Sequence, residues 1–399
     1  MKKRIIALAL CMATIFVFGG CGKDNGTQQQ TEAATETYEG PSSAQMEIDL
    51  EKQVKKLSDY NGITLTITGN YEVTDERIEE SIMGLLPYYG ITGVEVTDRD
   101  TVKEGDYVKV DYTGYHKDEA FEGGAATDVM IDVSNNMDVV NQTGYIDGFT
   151  DGLIGAKVGA EVSSDVRFPD EYPSNESLAG EMTTFKFKVK GIYAPVTMDT
   201  LTDDMIAEAF VDQSLTSKED LIAYVRDVLE NQAASYKTQA SVDAAENYIL
   251  DHSEVEIPEE YMDARLAEYQ QSFERDYCGE TQTLEEYLKA NNTTLAERQK
   301  VWKESLEKQI KVEFLFGRIA DLEKIEVDED DFADFVNYIV SSGSSQMTTE
   351  DEVYDYYGYG NKEDGKKALR QLYRVNQAIS FVVEHADVTV ESETQQTQD

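Results

Sequence analysis

Residues 101–124 read TVKEGDYVKVDYTGYHKDEAFEGG, and this stretch decides the fold. Tyr107, Val108, Val110 and Tyr112 supply strand-forming side chains in an alternating run, and a turn precedes Phe121. Downstream, DVMIDV (128–133) is a further candidate strand. The segment GYIDGFTDGLIGAKVGAEVSSDVRFPDEYP (144–173) sets aromatic and apolar residues between glycines. It closes on TTFKFKVKGIY (183–193), where Phe185, Phe187 and Val189 share one face and lysines the other. The pattern predicts a small, strongly bent antiparallel sheet with one short helix near Phe149–Ile154.

Five ordered motifs carry a resemblance: VDYTG (Val110–Gly114), FEGG (Phe121–Gly124), IDGFTDGLIGAKVGAE (Ile146–Glu161), FPDEYP (Phe168–Pro173) and FKFKV (Phe185–Val189). Together they resemble the FKBP-type peptidyl-prolyl cis-trans isomerase domain, in the variant found inside bacterial trigger factor. Outside this domain, ILDHSEVEIPEEYMDARLAEY (Ile249–Tyr269) is similar to the arm-bearing C-terminal region of trigger factor. The implied fold is α+β multidomain: a bent antiparallel FKBP-like sheet with a short helix, then an all-α C-terminal domain.

Working outward to the N-terminus, Lys2, Lys3 and Arg4 precede the apolar run Ile5–Phe18 and the pair Gly19–Gly20. Residues 1–20 therefore read as a secretory signal, too short and wrongly flanked to span a membrane. Phe18–Cys21 resembles a bacterial lipobox, with Phe18 where Leu is usual, and implies lipidation of Cys21. With Cys11 inside the signal and Cys21 lipidated, Cys278 stands alone and no disulfide is expected. Residues 21–45, rich in Gln, Thr, Glu and Ser, read as a flexible linker, and 391–399 as a disordered tail.

Residues 46–100 begin with alternation at Ile63, Leu65 and Ile67. They continue as a helix capped by Thr74 and carrying Ile78, Ile82, Leu85 and Leu86. This strand and helix are similar to the end of the trigger factor N-terminal domain, and read as a remnant of it. The basic ribosome-contacting loop of that domain has no counterpart here. The isomerase domain occupies 101–194, and 195–390 is helical. Ser217 and Pro258 open helices there, and Trp302, Leu306, Ile310 and Phe314 recur at four-residue steps. A further two helices are expected at Asp328–Val340 and Asp364–His385. YDYYGYG (Tyr354–Gly360) reads as a loop between packed helices or as a sticky patch.

The 35 basic and 79 acidic residues leave a net charge of −44, which repels nucleic acid, anionic lipid and the polyanionic ribosome. His116, His252 and His385 are scattered, with no partners at metal-ligand spacing. The glycine motifs lack the Lys–Ser/Thr of a phosphate loop. No cofactor and no nucleophile is called for, because turning an X–Pro bond requires only that a barrier of about 18–20 kcal/mol be lowered. An apolar pocket achieves this by drawing the carbonyl from water and holding the amide twisted.

By position in the family motifs, the resemblance implies Tyr112, Phe121, Glu122, Ile146, Phe149 and Tyr172 as the acting residues. Phe149 is then the pocket floor, Tyr172 a hydroxyl donor, the Ile146 amide a donor to the substrate backbone, and Glu122 the acidic neighbour of the carbonyl. Val129, Ile131, Tyr145 and Phe185 complete the pocket, while Phe187 reads as core. Val129 stands where the family usually has an aromatic residue, and Asn135–Gly144 is longer than its counterpart. The expected activity is prolyl isomerisation and chaperoning of unfolded or nascent exported chains outside the membrane. The alternative is a non-catalytic holdase or surface scaffold that keeps only the fold.

Overall fold

The computed structural model describes residues 40–278, 282–342 and 347–391. The signal, Cys21, the linker up to residue 39 and residues 392–399 of the tail lie outside the described residues. The chain divides into two compact units. Glu72–Ala234 forms one, the inner unit in chain order, and the described residues of the flanking segments, up to Tyr71 and from Ser235, form the other, the outer unit in chain order.

Local chemistry places the elements. Asp49 caps a short helix, α1 (Leu50–Gln53), which runs into β1 (Val54–Lys56). The alternation at Ile63, Leu65 and Ile67 becomes β2 (Thr64–Thr68), with all three side chains buried. The Thr74 hydroxyl accepts from the Arg77 amide and starts α2 (Asp75–Leu85). Strands β3 (Val94–Glu95), β4 (Tyr107–His116), β5 (Glu119–Asp132), β6 (Met137–Asp138), β7 (Thr143–Gly144), β8 (Glu161–Arg167) and β9 (Met182–Ala194) follow with no helix between them.

Beyond β9 come α3 (Asp203–Ala209), α4 (Lys218–His252), the short β10 (Glu254–Val255), α5 (Glu259–Phe273), α6 (Leu284–Ala290) and α7 (Leu295–Leu322). Next are α8 (Glu329–Ser341), α9 (Glu350–Tyr357), α10 (Lys362–Glu384) and β11 (Asp387–Glu391). Ser217, Pro258 and Asp328 stand at the starts of α4, α5 and α8, where the sequence places them. Thr283, Thr294 and Thr349 each pair reciprocally with the Glu three residues on, which fixes the starts of α6, α7 and α9.

In the inner unit the sheet runs β3-β9-β4-β5-β6-β7, with β8 also on β9. Register shifts in β4 near Val110–Tyr112 and Thr113–Tyr115 supply the expected bend. Val108, Val110, Ile131, Phe149, Leu153, Phe187 and Val189 form its core. A second core joins Ile78, Ile82 and Leu86 to Ile206, Phe210 and the first turns of α4 through Leu221 and Val225. The stretch expected as a short helix, Phe149–Ile154, is a succession of turns. Its amides bond three residues back: Phe149 to Ile146, Asp151 to Gly148, Leu153 to Thr150. The left-handed Gly148 (φ 84°) interrupts any helix start, and the Gly152 amide turns aside to the Ser164 hydroxyl.

The outer unit is built around α7, whose Trp302, Leu306, Ile310 and Phe314 are all buried as their spacing predicts. Ile310, Phe316 and Ile319 pack with Val375, Ile379 and Val382 of α10 and with Val242, Ala245 and Ile249 of α4. Val54, Ile63 and Leu65 join the same core. Phe332, Phe335, Val353, Leu369 and Tyr373 form a satellite core between α8, α9 and α10.

Residues 46–100 are thus divided between the units rather than forming one body: β2 pairs in parallel with β11, while α2 packs in the inner unit. The alternation at Ile63–Ile67 announces a strand, yet nothing local names its partner over three hundred residues away. The linker, expected to stay flexible through residue 45, ends sooner. Ser43 donates from its amide and hydroxyl to the buried Glu268 carboxylate (2.6 and 2.7 Å), and Ser42 and Gln45 donate to Asp364. Its polar side chains are ordered because they satisfy acceptors on α5 and α10. Half of YDYYGYG is helical, since Tyr354–Tyr357 close α9, and Tyr356 lies over the Arg275 guanidinium at 3.8 Å.

Candidate active site

The rings singled out in the sequence converge on one face of the bent sheet. β4 carries Tyr112 between β5 and β9, opposite Ala126 on one side and Phe187 on the other. β9 carries Phe185, and the turns after Tyr145 present Phe149 beneath them. Phe149 meets Tyr112, Phe185 and Phe187 at 5.2, 4.8 and 5.0 Å between centroids, all at steep angles. The run continues outward from Phe185 to Phe121 (5.7 Å), from Phe121 to Phe168 (6.0 Å), and from Phe168 to Tyr172 (4.9 Å).

Two motif glycines explain why Phe121 can enter this row. A Cβ on Gly114 would stand 2.5 Å from Phe121 Cζ and 2.7 Å from Phe185 Cε1, and one on Gly124 would stand 2.8 Å from Phe121 Cδ2. The VDYTG and FEGG motifs thus leave a slot that only hydrogen can line. Val129 faces Val110 across the β4–β5 pair and is half-buried against the same core, so the departure from an aromatic residue leaves an aliphatic wall.

Phe149, the expected floor, is only 2 % exposed. The Tyr145 ring stacks flat on it, centroids 4.2 Å apart and planes 14° apart. Ile131 and Phe185 are buried as well, so they support the site from beneath. Tyr112, Phe121, Tyr145, Ile146 and Tyr172 are half-buried and form its visible rim, and Glu122 is exposed. Burial and the nearby Asp138 carboxylate push the Tyr145 hydroxyl well above the usual tyrosine range, and burial raises that of Tyr112. Both stay protonated at neutral pH, and Tyr145 donates to Asp138.

Among the described residues, nothing accepts a hydrogen bond from the Ile146 amide or from the Tyr172 hydroxyl. Both are the groups that the family motif implies as donors to a bound peptide. Phe168 was not singled out from the sequence, although it lies in FPDEYP and bridges Phe121 to Tyr172. No motif in the sequence marks Asn136 or Asp138. They sit in the segment longer than its family counterpart, which folds as the tight β6–β7 hairpin, Met137 opposite Gly144 and Asp138 opposite Thr143.

The bent sheet, the ring row and the two open donors define an FKBP-type isomerase domain, and residues 98–190 match the family described as FKBP-type peptidyl-prolyl cis-trans isomerase. Residues 217–384 match the family described as bacterial trigger factor protein (TF) C-terminus. The chain is thus similar to trigger factor in both its FKBP-type and its C-terminal regions. Trigger factor of Halalkalibacterium halodurans is 26 % identical over 331 residues, covering 83 % of this chain and 72 % of that one. Trigger factor of Shouchella clausii is 27 % identical over 338 residues, covering 84 % and 73 %. A solved structure described under "Promiscuous Substrate Recognition in Folding and Assembly Activities of the Trigger Factor Chaperone" overlaps 82 % of this chain and 73 % of its own, at 14 % identity and a TM-score of 0.39. The two family matches and the trigger factor relatives support the coarse role of folding chaperone and prolyl isomerase.

Proposed function

We propose that this protein is an exported, lipid-anchored peptidyl-prolyl cis-trans isomerase and chaperone for unfolded chains that have crossed the membrane. The observation that carries the isomerase half is the unbroken ring row from Phe149 to Tyr172 with the unpaired Ile146 amide at its rim. An X–Pro peptide laid along it exchanges water for rings around the proline, which removes the solvent stabilisation of the planar amide. The Ile146 N–H takes a backbone carbonyl of the peptide, and the Tyr172 hydroxyl supplies a second donor. These contacts hold the bond while it turns, and no covalent step is needed. Because the uncatalysed turn takes tens to hundreds of seconds, modest transition-state stabilisation matters to a folding chain.

The chaperone half rests on the helical region matching the trigger factor C-terminus. Export and anchoring rest on the sequence alone, through the apolar run before Cys21. A docking role on ribosomes is not part of this reading, given the charge of −44 and the missing basic loop. The second reading, a holdase that keeps only the fold, draws on one observation: Phe149 is closed off by Tyr145.

Proline-peptide isomerisation by the full chain, compared with Phe149→Leu and Tyr172→Phe, separates the two readings. The isomerase reading expects a measurable wild-type rate and a fall of roughly tenfold or more in folded variants. Aggregation suppression should persist in both. A wild-type chain that suppresses aggregation yet turns over no proline peptide would leave the holdase.

A further inference from the structure

We infer that Tyr145 is a gate: its ring occupies the seat above Phe149 that a substrate's prolyl ring would take, and the β6–β7 hairpin latches it there. The inference rests on the isomerase reading above. Of the four rings around Phe149, Phe185 and Phe187 are buried and belong to the core side. Tyr112 meets Phe149 edge-on. Tyr145 alone lies flat across it, and because Tyr145 is itself half-buried it stands between the floor and solvent. A prolyl ring stacked on the floor has to lie where the Tyr145 ring now lies.

The latch is built from the extra length of this segment. Tyr145 donates its amide to the Asn136 carbonyl (2.9 Å), and Asn136 Nδ2 donates back to the Tyr145 and Ile146 carbonyls (3.1 and 3.0 Å). The Tyr145 hydroxyl donates to Asp138 Oδ2 at 3.3 Å. The other Asp138 oxygen accepts from the Val140 and Asn141 amides (2.9 and 2.8 Å), so the acceptor is set by the hairpin itself. The backbone of Tyr145 is thus tied down by several bonds, while its ring is held by the stack on Phe149, an edge contact with Tyr112 at 6.3 Å and one long hydroxyl contact with Asp138. Asn136 Oδ1 is buried without a partner, which leaves the hairpin less than fully satisfied. Such a ring swings about its own side-chain torsions without disturbing the backbone just past β7 that carries it.

A closed gate reduces apparent affinity by the fraction of time the site is open. One stacked pair with a weak hydroxyl contact favours closure by about three- to tenfold. The same Ile146 amide lies one residue past the gate, so opening exposes the floor beside the donor that orients the peptide backbone.

The test uses the full chain, its Tyr145→Val variant and its Tyr145→Phe variant. Binding of a succinylated Leu-Pro-Phe anilide is read by titration calorimetry, its isomerisation by a protease-coupled assay, and folding by circular dichroism. The gate predicts that Tyr145→Val binds the peptide about three- to tenfold tighter, with KM lowered to match. Tyr145→Phe, which keeps the stack and loses the latch, should fall between. An active wild type that Tyr145→Val neither tightens nor speeds overturns the gate and leaves the isomerase reading standing. If valine perturbs the fold, Tyr145→Phe decides: affinity equal to wild type overturns the latch. Absence of binding and turnover in all three chains overturns the gate and the isomerase reading together.

Discussion

Asp387 stands opposite Thr64 in a parallel strand pair, and the register runs on through Val388–Leu65 and Val390–Ile67 to Glu391–Thr68. The last described strand therefore completes a sheet begun by residues that precede the whole inner unit. The Ile63 carbonyl accepts the Asp387 amide at 2.8 Å, and the Glu391 carbonyl accepts that of Gly69 at 3.1 Å. Removing residues 387–399 would strip β2 of its partner and open the Leu65 side of the outer core. The expected outcome is a lower thermal midpoint for the helical unit and faster proteolysis near Thr64–Thr68. The prolyl isomerisation proposed for the inner unit should survive. Limited proteolysis followed by mass spectrometry reads the first effect, and the peptide assay reads the second.

Arg265 on α5 forks onto Glu313 on α7, with Nη1–Oε2 at 2.6 Å and Nη2–Oε1 at 3.1 Å, both side chains largely buried. Arg265→Met leaves two largely buried carboxylates, Glu313 and Glu268, without their shared cation. That should cost on the order of 3 kcal/mol in urea denaturation. The double variant Arg265→Met with Glu313→Leu removes the closer buried charge pair and should recover part of the loss, Glu268 keeping its carboxylate. A double variant no more stable than the single one contradicts this account.

The slot around Phe121 gives a prediction for the site itself. Gly124→Ala drives a methyl into the Phe121 ring, which must leave the row and break the path from Phe185 to Phe168. Destabilisation of about 1–3 kcal/mol is expected. Near-ultraviolet circular dichroism should change, and isomerisation should fall further than stability does. A variant with the wild-type rate would show that Phe121 has no part in catalysis.

Much of this was legible from residues that act locally. Thr74, Ser217 and Asp328 cap helices because a hydroxyl or carboxylate three residues before an open amide is a local event. Trp302, Leu306, Ile310 and Phe314 revealed a buried stripe because four-residue steps stack one helix face. What stayed hidden depends on long-range partners. The mate of β2 is far along the chain, and Ser43 finds Glu268 only after α5 has folded. The site shows the same division. Its aromatic members could be named from motif order, but whether Tyr145 lies beside Phe149 or across it is set by Asn136 and Asp138 in a hairpin that no motif describes.

Glu246 on α4 gives a pH prediction. Burial, reinforced by the nearby Asp243, pushes its carboxyl from an ordinary 4.5 up to about 7, against the opposing pull of Lys308. A folded value above the unfolded one means that the neutral acid favours the native state. Its contribution is fully present below about pH 4.5 and is lost as the pH rises through about 7. Glu246→Gln should therefore be more stable than wild type at pH 8, by on the order of 1 kcal/mol, with the difference shrinking toward acid. Parallel urea titrations across that range measure it. A gain that does not depend on pH would assign the effect to packing instead.

The final prediction concerns attachment. Lys2, Lys3 and Arg4, the apolar run Ile5–Phe18 and the small residues before Cys21 place a single thiol where signal removal would make it N-terminal. A chain anchored there needs two acyl chains for stable attachment, since one binds only marginally. The net charge of −44 makes an electrostatic grip on anionic lipid unfavourable, so membrane association should depend on the lipid alone. Cys21→Ser should move the protein from the membrane fraction to the soluble one, while leaving peptide isomerisation unchanged. High salt should not release the wild type, because salt screens charges and does not extract acyl chains. A serine variant that stays as membrane-bound as the parent would remove the lipid anchor from the proposed function and leave the isomerase and chaperone roles untouched.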